Sequence, residues 1–201
     1  MGNMDQDQAA RLVNSLAQQN RWPVIADPRL AFITPQLKTV FAVWQAQRRG
    51  RTMPARSDLT LPDLKTALPN ISFLDIVRDG ARIRFKVRLA GGALDAFLGK
   101  PPTGSFLDEA VPQPFAHKWQ TLWQPGIDAR LPMRHISRVE FPNRRYFVSE
   151  TLNAPLATDG ETPDVFLTAT YFHSRDDIGP RNNIAPQLIQ ELGDIASLAN
   201  A

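Results

Sequence analysis

Residues 68–109 read LPNISFLDIVRDGARIRFKVRLAGGALDAFLGKPPTGSFLDE, and the order of signals in this stretch decides the fold. Two apolar runs, Ile71–Val77 and Ala81–Ala90, flank Asp79-Gly80, a dipeptide suited to the left-handed conformations of a tight hairpin. The first run is almost continuously apolar, the pattern of a strand buried on both faces. The second alternates, with Ile83, Phe85, Val87 and Leu89 on one face and Arg82, Arg84, Lys86 and Arg88 on the other. One face is therefore expected in the core and the other to be wet and strongly basic. Gly91-Gly92 allows a sharp exit from the sheet, and Leu94, Phe97 and Leu98 form a short helix stopped by Gly99. After the rigid turn Pro101-Pro102-Thr103-Gly104, Phe106 and Leu107 drop back inward. A hairpin that runs into small helices, with no third strand following directly, predicts a sheet closing around an internal space.

Downstream, Phe115 to about Trp123 places Phe115, Trp119, Leu122 and Trp123 on one broad helical face. Three strands follow. Met133–Phe141 sets Met133, His135, Ser137 and Val139 opposite Arg134, Ile136, Arg138 and Glu140, and Arg145–Leu152 pairs next. Val165–His173 sets Phe166, Thr168, Thr170 and Phe172 opposite Val165, Leu167, Ala169 and Tyr171, so both of its faces are covered. Upstream, Arg21–Pro28 is a proline-broken connector, and Thr34-Pro35 starts a helix burying Leu37, Val40, Phe41 and Trp44. Leu61–Leu68 is a short helix leading into the hairpin. Amphipathic helices flank the whole. Ala9, Leu12, Val13 and Leu16 form the stripe of Gln6–Gln19, and Ile184, Leu188, Leu192, Ile195 and Ala199 that of the last segment. Each stripe needs a partner, either the rest of the chain or the same helix of a second copy.

The balance of 43% hydrophobic and 21% charged residues over 201 residues is that of a globular protein with a substantial core. Net charge is +3, with 23 basic residues interspersed among 20 acidic ones and no recognisable reading element, so nucleic acid is not the expected partner. The absence of cysteine excludes disulfides, thiolate metal sites, cysteine nucleophiles and flavin–cysteine photochemistry. The polar N-terminal residues lack an apolar run of signal-peptide or membrane-spanning length, which gives a cytoplasmic location, with no membrane partner, as the expectation.

The pieces RRGR-x-MPARSD, ISFLDIV, RFKVRLAGG, FLGK, TGSFLDE and SETLNAPL occur in that order between about Val43 and Ser174. Together they resemble a family of bacterial proteins whose one recognisable domain is a PAS domain. The resemblance implies an α+β PAS fold: a five-stranded antiparallel sheet, short helices over one face, and flanking N- and C-terminal helices. It divides the chain into an N-terminal helical extension with flanking helices (1–67), the PAS core (68–174), and a linker with the C-terminal amphipathic helix (175–201). It also implies a non-catalytic regulatory module acting in signal transduction. The expected partners are a signalling protein, a second copy engaged through the terminal helices, and a small apolar ligand in the pocket. The segment before Phe32 is not accounted for by the family.

Phe85, Val87, Phe97, Phe106, Trp119, Phe147 and Phe166 are expected to converge on one interior, with Ser149, Thr168 and Thr170 as polar contacts. Apolar walls with a few placed polar groups describe a ligand pocket. They equally describe the filled core of a structural adaptor, and the sequence leaves both open. His117 stands on the helix where haem-binding PAS proteins place their axial ligand, but two positions from Phe115 and from Trp119 it turns away from their face, so haem is not expected. His117, His135 and His173 have no zinc-type spacing, and no phosphate loop or nucleophile elbow is present, so neither a metal centre nor an enzyme is expected. Arg48, Arg49, Arg51, Arg56 and Asp58 form either an anion site for a nucleotide second messenger or a set of structural ion pairs. The structural reading has Arg56 and Asp58 pinning this irregular segment to the sheet.

Overall fold

A computed structural model describes residues 4–80, 82–139, 146–174 and 184–198; the side chains of residues 79, 82, 146, 147, 174 and 194–198 lie outside that description. Six antiparallel strands form one sheet: β1 (Val24–Asp27), β2 (Ile71–Asp79), β3 (Arg82–Ala90), β4 (Met133–Arg138), β5 (Tyr146–Leu156) and β6 (Val165–Ser174). Their spatial order is β1-β4-β5-β6-β2-β3, so the predicted hairpin β2–β3 is one end of the sheet and β6 joins it to β4 and β5. Helices α1 (Gln6–Gln19), α4 (Gly92–Leu98), α5 (Leu107–Ala110) and α6 (Gln113–Ala129) cover the inner face. On the outer face lie α2 (Pro35–Gln47), α3 (Leu61–Leu64) and α7 (Ile184–Leu198), giving three layers and a sheet covered on both sides except at its β3 edge.

The sheet has one strand more than the sequence suggests. Val24–Asp27 lies in the stretch read as a connector, yet all four of its residues are buried and it pairs with β4 from Val24↔Ser137 to Asp27↔Arg134. Four residues buried on both faces carry no alternation, and Pro23 and Pro28 lie just outside the paired segment. The free edge of this strand is closed by α1: Asn14 Oδ1 accepts from the Ala26 amide at 2.7 Å and Asn14 Nδ2 donates to the Ala26 carbonyl at 3.0 Å.

Helix α1 begins where expected, on a capping box between Asp5 and Gln8. Its buried stripe is Ala9, Ala10, Val13 and Ala17, packed on α6 and β1, while Leu12 is 42% exposed. The small residues let α1 approach closely, and this face of the helix is occupied by its own chain. Leu61–Leu68 is one helical turn, Leu61–Leu64, followed by a 3-10 turn at Leu68–Asn70.

Helix α6 runs six residues beyond Trp123, through Pro125 and Gly126 to Ala129, and stops at Arg130 in the left-handed region (φ 59°). Proline removes one backbone donor and normally breaks a helix. Here burial of Trp123, Ile127 and Ala129 outweighs that loss. Gly126 lets the last turn lie on β4, since a Cβ there would come within 2.7 Å of Met133 Cγ. Gly91 is required for the same kind of reason. Its backbone is extended (φ −76°), but a Cβ would meet the Pro69 and Leu68 carbonyl oxygens at 2.4 and 2.5 Å.

The basic face of β3 lies on an edge strand, where charges discourage pairing with other chains. It is not simply wet. Arg84 donates to Asp108 (3.0 and 2.6 Å) and Glu109 (2.7 Å) and lies over the Phe106 ring, its guanidinium carbon 3.8 Å from the centroid. Arg88 pairs with Asp75 at 2.6 Å.

Candidate functional site

The inner face of the sheet changes character along its length. At one end, Phe85, Phe166 and Trp123 pack with centroid separations of 5.1, 5.2 and 5.8 Å in a buried aromatic cluster. Beside them the inward residues become small and polar: Ser72 on β2, Ser137 on β4, Ser149, Thr151 and Asn153 on β5, Thr168 and Thr170 on β6. Helices α4, α5 and α6 lie over these positions with Leu94, Phe97, Leu107, Phe115 and Trp119. Short side chains below and large ones above leave a cavity of about 90 Å³ with a hydroxyl-rich floor and an apolar lid.

The floor is internally ordered. Ser137 and Ser149 hydroxyls lie 2.9 Å apart, and Thr151 donates to Thr170 across 3.2 Å. Asn153 and His135 Nδ1 lie 2.8 Å apart. His135 is fully buried against the edge of Trp119, and that burial pushes its pKa down to about 4, so the ring is neutral near pH 7. At one wall Lys118 is 5% exposed, its ammonium 5.7 Å from the ring centroids of Phe115 and Trp119. Arg138, exposed, also borders the space. Two buried polar atoms of the lining, Trp123 Nε1 and Asn153 Oδ1, have no hydrogen-bond partner among the described residues.

Of the positions expected from sequence to meet here, Val87, Phe97, Trp119, Ser149, Thr168 and Thr170 line the cavity. Phe85 and Phe166 are buried next to it in the filled end of the core. Phe106 does not line it but lies beneath Arg84, and the side chain of Phe147 is outside the described residues. Sequence reasoning missed Ser72, Ser137, Thr151, Asn153, Trp123 and Lys118. Strand parity from Ser149 reaches Thr151 and Asn153, and the spacing Phe115, Lys118, Leu122 puts the lysine on the inward helical face. His117 is exposed on the other side of α6, edge-on to Trp22 at 5.9 Å. His135 points inward and His173 outward from the sheet, so the two do not meet. Among the described residues no group of three or more potential ligands stands ready for a metal ion.

The arginine segment is held by its own backbone. Arg51 donates to Asp58 at 2.5 Å and to the carbonyls of Gln47 and Arg48, Arg48 donates to the Arg51 carbonyl, and Arg49 to Gln47 Oε1. Arg56 donates to the Leu59 carbonyl and lies 4.0 Å from the Phe73 ring centroid, so its contact with the sheet is with an aromatic face. Asp58 pairs with Arg51 and accepts from the Ala55 amide; those bonds hold its carboxyl below the usual range.

On the outer face a buried charge cluster joins three parts of the chain. The Arg134 side chain on β4 is fully buried and donates to Glu150 on β5 (2.6 Å), Asp27 on β1 (2.8 Å) and Glu191 on α7 (2.6 Å). Glu150 also accepts from the amides of Ile33 and Thr34. Burial works against the Asp27 carboxylate, but hydrogen bonds from Arg29, Arg134 and two backbone amides outweigh it and hold its pKa low.

Among the described residues no helix is long and apolar enough to cross a membrane. Comparison with curated proteins finds no match to this chain. A family model described as PAS domain matches residues 33–170, which takes in α2 to α6, β2 to β5 and β6 as far as Thr170. Domains of this kind are sensory or regulatory modules. The match covers more than half of the sequence and agrees with an antiparallel sheet whose inner face is lidded by short helices: the chain belongs to the PAS domain family.

Proposed function

We propose that the protein is a non-catalytic, cytoplasmic sensory module that takes up a small, largely apolar ligand in the inner-face cavity and acts in signal transduction by associating with a partner protein. The observation that carries this reading is the change from a filled core around Phe85, Phe166 and Trp123 to an unfilled space lined by Phe97, Trp119 and hydroxyls. A protein interior normally closes such gaps, because unfilled volume forfeits dispersion contacts. Among the described lining residues there is no carboxylate, and the adjacent His135 is neutral and engaged with Asn153, which supports binding over acid–base chemistry. The exposed Leu12 on α1 and Ile189 on α7 support association through the terminal helices, with a partner or with a second copy.

The test is a thermal-shift screen of small apolar metabolites together with native mass spectrometry of the purified protein. Retention of a small molecule, or a melting temperature raised by one, supports a sensor. A melting temperature that no compound moves, with a partner still bound, supports the filled adaptor.

A further inference from the structure

Resting on this ligand-pocket reading, we propose that the cavity takes a short-chain alcohol, its hydroxyl between Asn153 and Thr170 and its alkyl part under the lid. The first observation is an orphan acceptor. Asn153 is fully buried and lines the cavity, and its Oδ1 has no hydrogen-bond partner among the described residues. The other end of the same amide is engaged, with Nδ2 2.8 Å from His135 Nδ1. With the amide nitrogen toward the ring, Nδ1 accepts and the oxygen is the end left over. A buried acceptor without a donor is costly, and a ligand carrying an O–H or N–H removes that cost.

The second observation is the proton count of the floor. Each hydroxyl has one proton to give. Thr151 spends its own on Thr170 Oγ1 at 3.2 Å, so the proton of Thr170 is left for another acceptor. Thr170 lies opposite Thr151 and diagonal to Asn153 in the β5–β6 ladder, about 7–8 Å across. A ligand oxygen between them donates to Asn153 and accepts from Thr170. Hydrocarbons can do neither, and ketones, ethers and carboxylates only accept. Lys118 calls for no anion, because its ammonium has contacts of its own, the faces of Phe115 and Trp119 among them.

Size separates alcohols from primary amides, which also donate and accept. An engineered cavity of about 150 Å³ holds the six carbons of benzene. On the same scale the 90 Å³ here holds about four non-hydrogen atoms. A primary amide of that size spends three of them on its polar group and leaves one carbon for Leu94, Phe97, Leu107 and Trp119. An alcohol spends one and leaves three.

The experiment is titration of the full chain with 2-propanol and with acetone, which matches it in size and lacks the donor. The readout is the backbone amide NMR signals of Thr151, Asn153, Thr168 and Thr170. Both compounds are titrated into the millimolar range, since so few atoms put a ceiling on affinity. Saturable shifts at these amides are expected, with 2-propanol bound at least about fivefold more tightly than acetone. That preference should disappear in Asn153→Leu. Acetone binding as tightly as 2-propanol overturns the alcohol assignment and leaves the pocket reading standing, and so does an undiminished preference in Asn153→Leu. If neither compound binds but xenon under pressure shifts these amides, the alcohol falls and the pocket stays. If xenon leaves them unmoved as well, both readings fall. Should Asn153→Leu not fold, the two compounds on the unmodified protein decide.

Discussion

Arg134 Nη1 on β4 donates to Glu191 Oε2 on α7 across 2.6 Å, and this bond ties the C-terminal helix to the β1–β4–β5 end of the sheet's outer face. The same guanidinium also pairs with Asp27 and Glu150, so three carboxylates share one buried cation, and the exposed Arg29 adds a second pair to Asp27. Removing one member of a buried pair costs more than the pair contributes, because the remaining charge is left without compensation. Arg134→Met should therefore lower unfolding stability by roughly 3–5 kcal/mol in urea titration. Glu191→Gln keeps a hydrogen-bonding side chain and should cost about 1 kcal/mol. Its signature is local, as faster amide exchange in residues 184–193 with the exchange of β4 and β5 unchanged. Equal loss of protection in all three would mean that Glu191 supports the whole sheet.

His135 makes stability depend on pH. Its folded pKa of about 4 lies below the ordinary value of 6.5, so the unfolded chain takes up a proton first as pH falls. The stabilisation is complete above the unfolded value and is lost as pH drops from there toward the folded one. The loss should be about 2 kcal/mol by about pH 5 and about 3 kcal/mol by about pH 4. Asp27, held below the usual carboxylate range, acts in the same direction at more acid pH. Urea midpoints measured across this range should fall for the unmodified protein and much less for His135→Gln. Parallel curves would assign the slope to other groups.

Adjacent glycines should differ sharply. A methyl at Gly91 meets backbone carbonyl oxygens of Pro69 and Leu68, which have no flexible end to move, whereas one at Gly92 meets nothing within 4 Å. Gly91→Ala should cost about 1–3 kcal/mol or more, as overpacking does. Gly92→Ala, inside α4, should be neutral or mildly stabilising through helix propensity. Thermal denaturation of the two variants checks the pair, and equal melting temperatures would contradict the close approach.

Much of this architecture is legible in the sequence where one face of an element is wet or where turn chemistry is distinctive. Asp79-Gly80, the alternation of Arg82–Ala90, the Thr34-Pro35 start and the apolar stripe of Gln6–Gln19 all signal locally. What cannot be read that way is decided by distant packing. β1 is too short and too buried to alternate, and α6 passes Pro125 because its last turn lies on Met133. The cluster of Arg134, Asp27, Glu150 and Glu191 reads from sequence as charges scattered over solvent-facing positions. In the cavity, the hydroxyls of β6 follow from strand parity. Phe106 stays half-buried outside the cavity, where Arg84 supplies it with a cation and Asp108 and Glu109 hold that cation in place.

Asn14 should matter more than a half-buried asparagine ordinarily does. Its amide supplies both hydrogen bonds that a neighbouring strand would give Ala26, at 2.7 and 3.0 Å. Asn14→Ala leaves a buried backbone donor and acceptor unmet and should cost about 1–3 kcal/mol. Asn14→Leu should do the same, and since both replacements raise helix propensity a loss reports the missing contact. The unfolding free energies of the two variants give the comparison, and values within error of the unmodified protein would make the contact incidental.

The same side chain gives the first helix a role as a stopper. β1 is the last strand at its end of the sheet, and a terminal strand with bare amides and carbonyls is adhesive toward any similar strand. Taking away residues 1–20 would bare that margin, and two shortened chains would be free to zip together there. Self-association of a trimmed form would then report a surface that the intact chain keeps plugged.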